Sequence, residues 1–146
     1  MSQALQFYQS AGNEAFSKMV CQMAPYFATI DPTFVELKPG YAEVRLPFRR
    51  EVTNHLGSVH AIAMCNAAEL VAGTMTDVSI PAGSRWIPKG MTVEYLAKAK
   101  TDLRAVADGS SVDFSQPGDV VVPVEVFDEA GQKVFSARIT MNVKPG

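Results

Sequence analysis

Most of the side chains whose types and spacing can do chemistry fall between Asn54 and Met75, in the stretch NHLGSVHAIAMCNAAELVAGTM. Two histidines, His55 and His60, lead into an alanine-rich run that holds one carboxylate, Glu69. At helical spacing Asn66, Glu69 and Gly73 line up as one narrow polar stripe on an otherwise apolar rod, and such a stripe is expected to face a cleft. A carboxyl in apolar surroundings is harder to ionise, because desolvation penalises its charged form. It therefore moves toward the range useful for general-base work near neutral pH. The bland alternative is a carboxylate that pairs with a basic residue, or accepts backbone hydrogen bonds at a subunit seam. From position 60 onward the run would also present free N–H groups and a partial positive charge, an environment suited to an oxyanion.

The neighbouring residues allow both structural and functional readings. His60 either caps the helix or positions a ligand, and Asn54 either orders the loop through its own backbone or orients a water or carbonyl. His55 reads as loop or rim, and Gly57 as a source of backbone freedom ahead of the helix. Six cations, Arg49, Arg50, Arg85, Lys89, Lys98 and Lys100, flank the run on either side. In a cleft they would steer anionic groups such as phosphates; otherwise they are ordinary surface charge. Met64, Met75, Met91 and Phe34 are candidates for the core or for the lining of an apolar tunnel.

These groups need elements to hold them. Residues 13 to 24, behind an Asn13 cap, place Phe16, Met19, Val20 and Met23 at helical spacing until Pro25 ends the pattern, so a short amphipathic helix is predicted. TFVELKPGYAEVRLPF alternates around Pro39-Gly40 and predicts a β-hairpin. His60 to about Met75 is too long for a strand, poor in β-branched residues and rich in alanine, hence a helix buried on most of its surface. Beyond it, GMTVEYLAKAK, TDLRAVADG, GDVVVPVEVFDEAG and QKVFSARITMNVK predict four strands, the last two joined by a turn at Glu129-Ala130-Gly131. Six strands and one long apolar helix make an α+β class, an antiparallel sheet with one face for the helix to cover. Because that helix is apolar on more than one side, a second copy of the chain is expected against it, giving a homodimer or homotetramer.

Composition sets the bounds. With 146 residues the chain fits a single domain, 1–146, large enough to bury a core. A net charge of −2 and 19% charged residues argue against nucleic acid as a partner. Cys21 and Cys65 lack the spacing of a metal or redox pair, so no metal is expected and both read as buried thiols. The first residues carry no secretory pattern, and no apolar run approaches the roughly 20 residues of a membrane span. A cytoplasmic location is expected.

The order of strand pair, buried helix and four further strands resembles the hotdog fold, in which a curved sheet wraps one central helix. The spacing of Asn54, His60 and Glu69, six and then nine residues apart, is similar to the signature of the phenylacetyl-CoA thioesterase-like branch. WIPKGMTVEYLAKAK is similar to the strand that follows the helix there, where acyl-CoA is gripped along the subunit interface. Where that branch has two glycines after the histidine, this chain has Ala61 and Ile62. The wording NHLGSVHAIA…AEL…IPKGM most resembles a hotdog subgroup known only as a domain of unknown function. The resemblance implies an acyl-CoA thioesterase with no cofactor beyond the coenzyme A of its substrate. Ala61 N–H would receive the thioester oxygen, and Glu69 from the partner subunit would attack or activate water. Asn54 and His60 would assist, while Gly57, Asn66, Gly73, Arg85, Lys89 and Lys98 would contact substrate. Two alternatives stand beside it. One is an acyl or acyl-CoA binding protein without turnover, since the Ala61 methyl and the bulkier Ile62 narrow an approach that glycine leaves open. The other is a hydratase or dehydratase that pairs His55 with Glu69.

Overall fold

The computed structural model describes residues 2–146. Two helices, α1 (Gln3–Ala11) and α2 (Asn13–Met23), are followed by a 3-10 segment, Pro25–Ile30. The strands are β1 (Thr33–Lys38), β2 (Tyr41–Leu46), β3 (Arg85–Tyr95), β4 (Leu103–Asp108), β5 (Gly118–Phe127) and β6 (Lys133–Lys144), and α3 (Ala61–Ser79) lies between β2 and β3. The strands form one antiparallel sheet in the order β1-β2-β4-β5-β6-β3, the α+β arrangement read from the sequence.

Period-two alternation decides which face of the sheet is buried. Ala42, Val44 and Leu46 on β2, Leu103, Ala105 and Ala107 on β4, and Val120, Val122, Val124 and Val126 on β5 all turn toward α3. On β6 the same face carries Phe135, Ala137, Ile139, Met141 and Val143. Facing them, Ala67, Ala68, Val71, Ala72 and Met75 of α3 are fully buried, the small side chains letting the helix axis approach the sheet. Met64, Met75 and Phe34 therefore belong to this core, whereas Met91 is 40% exposed on β3. Helix α3 ends where Ile80 leaves helical geometry and Pro81 follows.

Several expectations change. SQALQFYQSA, read only as lacking a secretory pattern, forms α1, capped by Ser2 Oγ accepting from Leu5 N–H at 3.0 Å. Asn13 is the first residue of α2 rather than its cap; its Oδ1 accepts from the Tyr8 hydroxyl and its Nδ2 donates to the Val35 carbonyl, tying α1 and α2 to β1. Strand β3 starts five residues earlier than the sequence pattern, at Arg85, and ends at Tyr95, before AKAK. The second side of α3 also has a cover inside the chain. Asn66, Leu70 and Gly73 are buried where α3 meets the 3-10 segment and α2. Of the sheet's two edges, β1 and β3, it is β3 that exposes three large apolar side chains, Ile87, Met91 and Tyr95.

Candidate functional site

The loop before α3 is built to aim the helix N-terminus. Asn54 Oδ1 accepts from Leu56 N–H at 2.9 Å and from Ser58 N–H at 3.2 Å, while the Asn54 N–H donates to the Ser58 carbonyl at 2.8 Å. Its carboxamide oxygen is thus spent on the loop, which leaves only Nδ2 for any ligand. Gly57 closes the turn at φ +76°, a left-handed conformation that a side chain would strain. The loop's exit is clamped on both sides: Val59 N–H donates to the Ala99 carbonyl and His60 N–H to the Val52 carbonyl, each at 2.7 Å.

His60 is the N-cap of α3, and its Nδ1 accepts from Ile62 N–H at 3.0 Å. In a neutral ring that bond leaves the proton on Nε2, a donor facing away from the helix. The Ala61 N–H has no acceptor among the described residues, so the first free amide of α3 is the one the sequence singled out. Beside it the Ile62 side chain is 51% exposed, an apolar group at the position where the resembling thioesterases have glycine.

Eight residues further along α3 sits Glu69, about 12 Å away at the helical rise per residue. Glu69 is exposed in the single chain, so the chain itself does not bury it as the sequence reading expects. The polar stripe divides. Asn66 is buried and donates through Nδ2 to the Tyr26 carbonyl at 3.3 Å and to Thr29 Oγ1 at 3.2 Å, fastening the 3-10 segment to α3. Glu69 and Gly73, with Asp77 one turn on, instead line a cavity of about 400 Å³ between α3 and α2. Its walls are almost wholly apolar: Phe16, Met19, Val20 and Met23 from α2, Phe27 from the 3-10 segment, and Trp86 from β3. This is the volume of a small-molecule site, with one carboxylate at Glu69 and a second at Asp77.

Trp86 and Asp77 were not singled out in the sequence. The indole crosses α3 at Gly73, where an added Cβ would lie 2.8 Å from Trp86 Cη2, and its Nε1–H donates to Asp77 Oδ1 at 2.9 Å. One signal pointed there: a glycine inside a helix otherwise rich in alanine marks a close approach.

The cations do not converge. Lys89 is paired with Asp119 at 2.9 Å, and Arg85 opens β3 beside Trp86, near the C-terminal end of α3. Lys98 and Lys100 flank Ala99, whose carbonyl holds Val59, and so lie by the N-terminal end. Arg49 donates to the Thr29 carbonyl, and Arg50 and His55 share the rim of a shallow polar depression with Asn54. Cys21 and Cys65 are free and half-buried, and burial pushes both thiols up from their ordinary range, which makes them poor nucleophiles. Among the described residues no helix is long and apolar enough to cross a membrane.

No curated protein matches the sequence. Among solved structures, a structural-genomics crystal structure with no stated activity is 63% identical, covering 99% of this chain and 97% of its own, at a TM-score of 0.91. A Pseudomonas aeruginosa protein described as of unknown function, probable thioesterase, is 22% identical, with 89% of this chain and 93% of that one aligned at a TM-score of 0.78. A thioesterase from Haemophilus influenzae is 12% identical, with 87% of each chain aligned at a TM-score of 0.76. At those last two identities the likeness is one of fold, and it matches the hotdog architecture of sheet and central helix. Residues 12–143 match the model of the family described as domain of unknown function (DUF4442), and to that family, on a hotdog fold, this chain belongs.

Proposed function

We propose that the protein is an acyl-CoA thioesterase that works as a homodimer, Glu69 of one copy acting on a thioester whose carbonyl oxygen is held by Ala61 N–H of the other. The observation that carries this reading is Glu69 at the rim of an apolar cavity, on the same helix whose first free amide is Ala61. Separated by about 12 Å along one helix, the two groups of a single chain cannot meet at one carbonyl; two copies can supply one each. The open β3 edge gives a second copy its docking place, and cover there would strip water from Glu69.

The chemistry is hydrolysis. Glu69 takes a proton from water as the oxygen bonds to the thioester carbon, and the carbonyl electron pair moves to the oxygen facing Ala61 N–H. Collapse breaks the C–S bond, the coenzyme A thiolate leaves, and Glu69 returns the proton to it. The fixed helix amide suits the oxyanion better than water does, since one such donor contributes on the order of 3 kcal/mol in characterised hydrolases. Lys98 and Lys100 flank Ala99 near the amide, and in this reading they would meet the phosphates of coenzyme A.

One observation favours a second reading, an acyl-CoA binding protein without turnover: the exposed Ile62 side chain beside the amide. A thiol-release assay across acyl-CoAs of graded length, run on the wild type and Glu69→Gln, separates the two. Hydrolysis predicts release that falls at least about 100-fold in Glu69→Gln, the scale of a lost general base. Binding by both proteins with release by neither would leave the non-catalytic reading standing.

A further inference from the structure

The apolar cavity has a defined far end. It runs along α3 from Glu69 to Asp77, and beyond Asp77 a second cavity of about 860 Å³ continues beside Val78, Ile80 and Pro81. The two share Ala4, Met19, Met23 and Asp77 as walls. Trp86 lines only the first, and three independent features hold its indole there, over Gly73 and beside the shared wall residue Asp77. Gly73 leaves the helix surface bare beneath the ring, Asp77 Oδ1 accepts from its Nε1–H, and its backbone is paired with Val143 in β6. A ring held at so many points does not swing aside at little cost, whereas Met19 and Met23 can.

We propose that Trp86, laid over Gly73 and tethered to Asp77, is the stop that sets the longest acyl chain the site accepts. This rests on the acyl-thioester reading above. The indole lies over Gly73, and from Glu69 to Gly73 the helix rises about 6 Å, so at about 1.2 Å per bond of an extended chain roughly five bonds fit before the ring. Longer chains meet the ring; without it they continue into the second cavity, gaining burial with every methylene.

The test uses thioether analogues, S-hexyl-, S-decyl- and S-hexadecyl-coenzyme A, which bind but are not hydrolysed, titrated by calorimetry into the wild type, Trp86→Ala, Trp86→Phe and Asp77→Ala. The wild type should bind S-decyl at least as tightly as S-hexadecyl. Trp86→Ala should bind S-hexadecyl at least about tenfold more tightly than the wild type does, with S-hexyl affinity little changed, since longer chains bury more methylenes. Asp77→Ala, which frees the ring but keeps it, should move the same way by less, and Trp86→Phe should hold the preference if Trp86→Ala fails to fold. Trp86 is the single tryptophan, so its emission should also shift when S-decyl reaches it in the wild type. An unchanged length preference in every variant, or no binding of any analogue, overturns the proposal. Its failure is separable from that of the thioesterase: a length preference that moves with Trp86 but no thiol release removes hydrolysis and keeps the stop. Thiol release with an unmoved length profile does the reverse.

Discussion

Gly73 sets two effects against each other. Replacing a helix-interior glycine with alanine gains up to about 1 kcal/mol in helix propensity. Here the new methyl would sit 2.8 Å from Trp86 Cη2, so the ring must slide and its bond to Asp77 weaken. For Gly73→Ala we expect little net change in the unfolding midpoint together with a shift in tryptophan emission; clear stabilisation with unchanged emission would mean that the ring does not rest on Gly73. His60 offers a plainer case, because His60→Ala removes the acceptor for Ile62 N–H. A loss of about 1 kcal/mol, the usual scale for a helix N-cap, is expected in urea unfolding. At this scale the sequence was partly legible. Glu69 and Gly73 share the helix face their spacing indicated, but Asn54 Oδ1 is spent on its own loop and Asn66 Nδ2 on the 3-10 segment. Spacing along one helix tells which residues share a face; it does not tell which neighbouring element lies over that face.

The elements were legible wherever a periodic pattern met a turn signal, as in β1-β2, α3, β5 and β6. They were missed where pattern and chemistry disagreed. Helix α1 is short, with four Gln or Ser among its nine residues, and buries only Leu5, so its pattern gave weak grounds for a core-facing helix. The alternating pattern begins only at Gly90, whereas β3 begins at Arg85, because a sheet edge tolerates the proline and charged residues of RWIPK. One link between elements is electrostatic. Asp102, just before β4, accepts from Phe48 N–H at 2.6 Å and from Arg45 of β2, and these hydrogen bonds hold its carboxyl below the usual carboxylate range. A carboxyl lowered by folding stabilises the protein above its unfolded value of about 3.9, and that stabilisation is lost as pH falls through the folded value. Asp102→Ala should therefore lower the free energy of unfolding in urea at neutral pH by about 1 kcal/mol, the scale of a charge-assisted bond at a half-open site. The difference from wild type should shrink as the pH is taken below about 4, and a difference independent of pH would sink the assignment.

For the whole molecule the edge richest in exposed large apolar side chains is β3, where Ile87, Met91 and Tyr95 lie along a strand of eleven residues and Leu96 follows it. The sequence pointed to a second copy for a different reason, the all-round apolar character of α3. The chain answers that need itself with α2 and the 3-10 segment, an arrangement no local pattern could reveal. Sedimentation equilibrium at micromolar concentration is expected to give a dimer for the wild type and a monomer for Met91→Lys, with the thermal midpoint of the wild type rising with protein concentration. A monomeric wild type would remove the proposed pairing of Glu69 with the partner's Ala61. The edge is also not uniform along its length. Pro88 has no N–H to offer, and the register against β6 slips between Pro88 and Gly90, so the strand bends at one point. Register with β6 is unbroken over residues 85 to 88 and again over residues 90 to 95, so no straight stretch of the edge exceeds six residues, which limits any foreign strand to about three pairs of backbone bonds. A break in the middle of a sticky edge thus guards the newly folded chain against fibre-like stacking, while leaving enough straight backbone for one well-matched neighbour.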